Sequence, residues 1–211
     1  MSSSDVRSSF DAAAKAFLEI ADNLDTSQFD IVALGKFNIR DLLGHTGRAL
    51  STIENYMLPA AQSSSQITAA DYFAALWKPA GTEERRLRDE NIYERGKSEA
   101  LRFGQDIRQA LHTLAERITA LVRSAADNTA LDTPVGQMQL IEYLPTRTFE
   151  LCVHSLDLAK ASNQAVPVCL EPVIEATLIL AARMAVRNND GPGLLLALCG
   201  RQKLPDGYSI I

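Results

Sequence analysis

PTRTFELCVHSLDLAKAS, residues 145–162, is the stretch on which the interpretation of this sequence depends. At about 3.6 residues per turn, Leu151 and Leu158 fall on one flank of a helix and Phe149 on the other, with a polar stripe between them. Pro145 is of a type that favours the first turn, so we predict that the helix begins there. A helix with two apolar flanks needs neighbouring helices to cover them.

The same periodicity extends along most of the chain. Further helices are predicted over residues 5–24, 38–57, 82–121, 171–186 and 194–199, with the polar residues 127–134 forming a loop. Asn38 and Thr82 are expected to cap the second and the third helix of the chain. Four long amphipathic helices favour an all-α, up-and-down four-helix bundle over residues 1–165. Residues 166–211 are expected to add a C-terminal helix and tail that pack on this bundle, without a separate second domain.

The composition is that of an ordinary globular protein, with 46% hydrophobic and 22% charged residues in a chain of 211. The net charge of −5 argues against a nucleic-acid partner, because such a partner favours a clustered basic face. No stretch approaches the roughly 20 apolar residues that cross a bilayer, and the first residues lack the features of a secretory signal. We therefore expect a soluble cytoplasmic protein without a membrane partner.

The cysteines agree with a reducing compartment. Cys152, Cys169 and Cys199 are odd in number, widely spaced, and contain no C-x-x-C pair. We expect all three to be small buried hydrophobic side chains.

The polar stripe of residues 145–162 consists of Arg147, Glu150, His154 and Asp157. On a helical wheel these residues occupy a sector of roughly 80°. Glu150 and His154 are four residues apart, so their side chains can converge on one point. The stripe is either the solvated face of an amphipathic helix or a buried polar cluster. The scarcity of lysine on it favours the buried cluster.

His45 lies in the predicted second helix on a mostly apolar face. It is either a core histidine that bonds to a backbone carbonyl or a metal ligand. Gly44 and Gly47 each cost the helix roughly 1 kcal/mol relative to alanine, which indicates that a neighbouring backbone or a ligand approaches closely. His112 points away from the apolar seam of its helix, and we predict that it lies on the surface.

His45, Glu150 and His154 together form a plausible three-ligand site for a divalent metal. Zinc accepts imidazole nitrogen and carboxylate oxygen, and a catalytic zinc site leaves a fourth position open. Asp157 follows on the same stripe, where it could orient an imidazole or act as a base toward a bound substrate.

Two motifs resemble the mycothiol-dependent maleylpyruvate isomerase family, which belongs to the DinB-like four-helix bundle superfamily. NIRDLLGH, residues 38–45, is similar to the family's x-V-R-D-L-L-x-H element. RTFELCVHSLDL, residues 147–158, is similar to its R-x-x-E-x-x-V-H-x-x-D-L helix. The ending LLLALCGR, residues 194–201, followed by LPDG at 204–207, also resembles the tail of many members.

The resemblance implies a function. It makes His45, Glu150 and His154 the ligands of a divalent metal, usually zinc, with nickel as an alternative. It implies mycothiol as the thiol cosubstrate and an actinobacterial source. A thiol bound to such a metal loses its proton and can attack an electrophilic carbon. Asp157 matches the family's acidic residue one turn after the second histidine.

The resemblance also suggests where substrate binds. Arg147 could pair with Glu150 or Asp157, or attract a substrate carboxylate. The sequence has Lys36-Phe37 where many members have tryptophan, and only about 45 residues follow the end of the helix that carries the second motif. The isomerase proper carries a C-terminal domain that helps to form its substrate site. Part of that role could pass to Tyr56, to the fifth helix, or to a second subunit.

Two hypotheses follow. The first is a mycothiol-dependent enzyme, either an S-transferase or an isomerase-like protein, that acts on a small electrophilic substrate. The second is a non-catalytic metal-binding or regulatory bundle of the same fold. A homodimer is compatible with either, since bundles of this size often pair through an exposed apolar face.

Overall fold

Eight α-helices and five short strands make up the part of the chain that the computed structural model describes, residues 2–211. The helices are α1 (Ser3–Asp22), α2 (Ile39–Tyr56), α3 (Ala69–Leu76), α4 (Glu83–Arg102), α5 (Ile107–Ser124), α6 (Leu140–Ser162), α7 (Glu171–Arg187) and α8 (Gly191–Leu198). The strands are β1 (Val32–Leu34), β2 (Phe37–Asn38), β3 (Met57–Gln62), β4 (Thr129–Thr133) and β5 (Gly136–Gln139). The predicted all-α class is confirmed, since the strands form only two small sheets.

The core lies where α1 packs along α6 and α2 packs along α4. Phe10 and Phe17 of α1, Leu42 and Leu50 of α2, and Leu151 of α6 are all fully buried. Burying a side chain of this size contributes about 1.5–3 kcal/mol. Because α2 also contacts α6 and α5, it occupies the centre of the helical assembly.

The predicted caps of α2 and α4 are confirmed. The Asn38 side chain accepts a hydrogen bond from the backbone N–H of Asp41 at 2.8 Å. Thr82 accepts one from the backbone N–H of Arg85 at 3.2 Å. Each bond satisfies one of the N–H groups that a helix leaves free at its first turn.

The predicted continuous helix over residues 82–121 is wrong. It is divided into α4 and α5, and α3 is a further helix that the sequence did not predict. Gly104 adopts φ +72°, a left-handed conformation that ends α4. Asp106 then caps α5, because its side chain accepts from the backbone N–H of Gln109 at 3.1 Å.

The predicted loop over residues 127–134 is also wrong in part, because it contains β4. This strand lies between β3 and β5 in an antiparallel sheet of three strands. The hydroxyl of Thr133 donates to the carbonyl oxygen of Gly136 at 2.6 Å and so closes the turn between β4 and β5. With four to six residues each, the strands are too short to give a clear alternation of polar and apolar residues.

Helix α6 begins at Leu140, five residues earlier than predicted, and Pro145 lies inside it. The sequence of β5 runs directly into the helix, so no proline is needed to start it. A proline at this position removes the hydrogen bond to the carbonyl of Ile141 and places its ring against that carbonyl. The burial of Leu140, Tyr143 and Leu144 offsets that loss.

Helix α7 packs against α3 and α6, and α8 packs on α7. The expectation of three buried cysteines holds for Cys152, whereas Cys169 is partly buried and Cys199 is exposed. Cys199 directly follows α8, a short helix without a fully buried side chain. Among residues 2–211, none of the helices combines the length and the apolar character needed to cross a membrane.

Helices α2 and α4 approach closely at two glycines. A Cβ atom at Gly44 would lie 2.5 Å from the backbone nitrogen of Ala100 and 2.5 Å from the backbone oxygen of Gly96. A Cβ at Gly96 would lie 2.8 Å from the Cβ of His45. The close approach expected at Gly44 is therefore made by the backbone of α4. This contact fixes the position of the neighbouring residue His45 relative to α4.

Substituting Gly44 by alanine tests this contact. We expect a loss of about 1–3 kcal/mol in the free energy of unfolding, because backbone atoms of α4 must move to admit the methyl group. This net loss already includes the gain in helix propensity, about 1 kcal/mol, which acts in the opposite direction. Urea unfolding measures the difference. The exposed Lys97→Ala substitution on α4 is the control and should change the free energy of unfolding by less than about 0.5 kcal/mol. A Gly44→Ala protein whose stability is unchanged or increased would contradict the close contact.

Candidate metal centre

Three ligand-type side chains from two helices converge in the core. His45 lies on α2, and Glu150 and His154 lie one turn apart on α6. Oε2 of Glu150 lies 3.2 Å from Nε2 of His154 and 3.9 Å from Nε2 of His45. The ligand atoms of all three residues lie within 4.8 Å of one another. The structure thus brings together the three residues that the sequence singled out as metal ligands.

Asp157 lies behind His154. Its Oδ2 is 3.1 Å from Nδ1 of the imidazole. When Nδ1 is protonated and donates to this carboxylate, Nε2 is the nitrogen that faces Glu150 and His45. This arrangement matches the first of the two roles considered for Asp157, the orientation of an imidazole.

The polar stripe of α6 is a buried cluster and not a solvated face. His154 is 5% exposed and Arg147 is 7% exposed. The side chains of Glu150 and Asp157 are 21% and 27% exposed, which leaves the cluster accessible from one side.

His45 is not the self-sufficient core histidine considered above. Its Nδ1 is buried and has no hydrogen-bond partner among the described residues. Phe37 packs on the imidazole with its ring centre at 5.1 Å, and the ring of His154 stands nearly perpendicular to it at 4.8 Å. Its other nitrogen, Nε2, faces Oε2 of Glu150 at 3.9 Å, which is too far for a hydrogen bond, so this nitrogen is available to a ligand.

Burial and charge set the protonation of the cluster. Burial lowers the pKa of His45 to about 3, with a further contribution from His154. Burial alone would raise the pKa of Glu150, but the contact with His154 and the charge of Arg147 lower it to about 2. Burial alone would lower the pKa of His154, but Asp157 and Glu150 raise it to about 9. At pH 7 the cluster therefore holds a neutral imidazole, a carboxylate and an imidazolium.

The donor set suits a divalent transition metal. Two imidazoles and one carboxylate are ligands that zinc accepts, and a carboxylate behind one imidazole is the usual second partner of a metal-bound histidine. In a tetrahedral site with bonds of about 2.0 Å, ligand atoms lie about 3.3 Å apart. The distances of 3.2 and 3.9 Å from Glu150 are close to this value. The residues present therefore fit the metal.

Arg147 is held by aromatic rings. Its guanidinium carbon lies 4.8 Å from the centre of the Tyr143 ring and 5.5 Å from that of Tyr72. Its Nε donates to the hydroxyl of Thr146 at 2.9 Å. An ion pair with Glu150 or Asp157, one of the alternatives considered for Arg147, is not formed among the described residues, although the charge of Arg147 still acts on the pKa of Glu150.

Tyr56 belongs to the same aromatic group. Its ring centre lies 6.0 Å from that of Tyr143, whose hydroxyl donates to Thr52 at 3.1 Å. The two residues predicted to bind substrate, Arg147 and Tyr56, therefore both contact Tyr143, on the side of the cluster toward α3.

Sequence reasoning missed three aromatic residues of the site. Tyr143 precedes Arg147 by one helical turn and so lies on the same face of α6. The helix predicted from the sequence starts at Pro145 and therefore does not include Tyr143. Phe37 directly precedes Asn38, the cap of α2. Tyr72 lies on α3, and no local pattern connects that helix with α6.

His112, the third histidine, lies away from the site. Its Nε2 is 2.8 Å from Oδ1 of Asp22, and its side chain is 37% exposed. The predicted surface position is confirmed.

Comparison with protein families agrees with this geometry. The family described as the mycothiol maleylpyruvate isomerase N-terminal domain matches residues 10–159, which include the candidate ligands His45, Glu150 and His154. No curated protein and no solved structure matches the chain significantly. A helical DinB-like domain agrees with the helices and small sheets of the structure. The match covers well over half of the chain, which therefore belongs to the mycothiol maleylpyruvate isomerase N-terminal domain family.

Proposed function

We propose that this protein is a divalent-metal-dependent thiol enzyme whose ion, zinc or else nickel, is held by His45, Glu150 and His154. The observation that carries the proposal is the convergence of these three donors within 4.8 Å. The position of Nε2 of His45 supports it, because this nitrogen faces Oε2 of Glu150 at 3.9 Å, beyond hydrogen-bond distance but close enough for both atoms to bind one ion.

The cosubstrate that we propose is mycothiol, the thiol that gives the family its name. A divalent ion in this site would supply Lewis acidity that keeps a thiol ionised at neutral pH. The carboxylate of Asp157 holds the His154 ring by its Nδ1, so that Nε2 keeps a fixed direction. The side chain of Glu150 is partly exposed to solvent, and we propose that small molecules enter the site from this side.

The reaction that fits these residues is addition of a thiolate sulfur to an electrophilic carbon. In an S-transferase the new carbon–sulfur bond persists and a leaving group departs with the electron pair. In an isomerase the sulfur adds to a double bond, rotation follows, and the same carbon–sulfur bond breaks. Arg147, whose terminal nitrogens have no carboxylate partner among the described residues, would bind an acidic group of the substrate. Tyr56 would flank it.

The proposed setting is the cytoplasm, where small thiols remain reduced. The three free cysteines of the chain agree with that compartment. The competing hypothesis is a non-catalytic metal-binding bundle, and the thiol assay described below separates the two.

The first prediction concerns metal content. Protein purified without chelator should carry about one divalent ion per chain, as three protein ligands suffice for a zinc site. His154→Ala should lose it, because removal of one of three ligands leaves an incomplete site. His112→Ala is the matched control and should retain the ion, since His112 bonds only to Asp22. Elemental analysis by mass spectrometry measures all three.

The outcomes distinguish the hypotheses. A wild type that stays metal-free after incubation with zinc refutes the proposed function. If the metal-loaded wild type consumes mycothiol in the presence of electrophiles and His154→Ala does not, the enzyme is supported. Metal binding without loss of thiol or change of substrate, across a panel of electrophiles, favours the non-catalytic bundle.

The second prediction concerns the number of protons that the protein releases when it binds the metal ion. The pKa of His154 is raised to about 9 in the metal-free protein, so at pH 7.5 an ion must displace its proton. We expect release of about one proton per ion at pH 7.5, and an affinity that rises up to tenfold per pH unit until pH 9. His45 adds no proton, because its pKa is lowered to about 3. Calorimetry in buffers of different ionisation enthalpy counts the protons; a count near zero at pH 7.5 would contradict this assignment.

The third prediction concerns Asp157. Asp157→Asn should weaken zinc binding roughly 10- to 100-fold, the range found when the carboxylate behind a metal-bound histidine is changed. It should also reduce the number of protons released at pH 7.5, since Asp157 helps to raise the pKa of His154. The exposed Asp132→Asn substitution is the control. If affinity falls while the proton count stays at the wild-type value, Asp157 acts on the fold and not through His154.

A further inference from the structure

A second polar region lies between α2 and α4, outside the cluster of metal ligands. It is a groove of about 590 Å³, a volume typical of small-molecule sites. Its polar lining consists of Arg48 from α2 and, from α4, of Arg88, Asn91, Arg95, Ser98 and Arg102, together with two glutamates.

The residues of α4 in the groove follow a regular pattern. Arg88, Arg95 and Arg102 are seven residues apart, and so are Asn91 and Ser98. Seven residues are two helical turns and span about 10.5 Å, so all five side chains lie on one face of the helix. Arg48 faces this stripe from α2. The result is a continuous row of hydrogen-bond donors along one wall with a further guanidinium opposite.

The groove is electropositive in an acidic protein. Four arginines oppose two glutamates in its lining, whereas the whole chain has a net charge of −5. Glu99 is already engaged, since it lies 3.2 Å from Arg102 and accepts from Ser51 at 3.4 Å. Arg88 is paired with Asp89, so Arg48 and Arg95 remain against one other carboxylate of the lining, Glu94, and the groove keeps a local excess of one positive charge.

Two of the arginines have no acidic partner. Arg88 lies 2.7 Å from Asp89, and Arg102 is occupied by Glu99. No carboxylate among residues 2–211 lies within ion-pair distance of Arg48, and Arg95 bonds only to the carbonyl oxygen of Asn91. The guanidinium groups of Arg48 and Arg95 are therefore available to an anion that enters the groove.

We propose that this groove binds the oxyanion group of a small molecule, a carboxylate or a phosphate, between Arg48 and Arg95. A guanidinium presents paired N–H groups that match two oxygens of such an anion, and Asn91 and Ser98 add neutral donors. The site does not depend on the function proposed above, because none of its residues belongs to the metal cluster. It adjoins that cluster through α2, on which Arg48 follows His45 by one turn.

The test is a titration of the metal-loaded protein with inorganic phosphate and, separately, with succinate at low ionic strength. Calorimetry or chemical-shift changes give the Kd. Saturable binding of at least one probe is expected, and Arg48→Gln and Arg95→Gln should each weaken it about tenfold, the loss of one charge-assisted hydrogen bond. The probe that binds more tightly identifies the chemical class of the ligand.

Arg86→Gln is the matched control, since Arg86 lies on the same helix, carries the same charge, and bonds to Glu83 outside the groove. It should bind the probes as the wild type does. Equal weakening by all three substitutions would reveal general charge attraction and overturn the proposal, as would the absence of saturable binding.

The metal itself could attract the same anions, so the titration is repeated with His154→Ala. Binding that persists in this variant and remains sensitive to Arg95→Gln places the anion in the groove. Binding that disappears in His154→Ala and is unaffected by Arg95→Gln assigns the anion to the metal and refutes the groove. Because the metal content is measured independently, failure of the groove leaves the function proposed for the metal centre intact.

Discussion

The contact between α2 and α4 at Gly44 and Gly96 is the constraint on which the site depends. Two backbones meet there with no room for a Cβ atom, and the Cβ of His45 would collide with one placed at Gly96. Each glycine costs its helix about 1 kcal/mol relative to alanine. In exchange, the two helices pack in direct backbone contact, which fixes the distance between α2 and α4. This contact holds His45 at a position where its side chain approaches Glu150 and His154.

Burial of the polar cluster is costly for the fold and is reduced by internal contacts. An isolated charge in a protein interior loses several kcal/mol of hydration, so buried charges are paired. His154 meets a carboxylate at each of its two nitrogens, and Arg147 lies on the rings of Tyr143 and Tyr72. Only His45 lacks such a partner, with Nδ1 left unbonded. Nε2 of His45 faces Glu150 without reaching hydrogen-bond distance, so the cluster leaves a donor available for the ion that we propose.

The helical class and the pair of Glu150 and His154 were predictable because they rest on local spacing, whereas His45 on α2 was added to them from its donor chemistry and from the family resemblance of residues 38–45. The four-residue separation of Glu150 and His154 needs only one helix to bring them together, and Asn38 caps α2 through a bond to a residue three positions away. The break between α4 and α5 depends on the left-handed conformation of Gly104, which an isolated glycine in a polar stretch does not reveal. The sheet of β3, β4 and β5 joins segments about 70 residues apart, and the meeting of Tyr72 with Arg147 is of the same kind. Contacts over such distances leave no local pattern.

Charge links the metal centre to its proposed chemistry. In the metal-free cluster, the carboxylates of Glu150 and Asp157 are balanced by the imidazolium of His154 and the guanidinium of Arg147. A divalent ion held by His45, Glu150 and His154 in place of the His154 proton would add one net positive charge to this largely buried site. An entering anion would restore neutrality, and a neutral thiol would do so by giving up its proton. The buried guanidinium of Arg147 contributes to the same preference, because its own charge has no carboxylate in direct contact. With the proposed ion in place, the buried arrangement would favour the ionised form of a thiol before any substrate is present, which is the electrostatic condition that the proposed thiol chemistry requires.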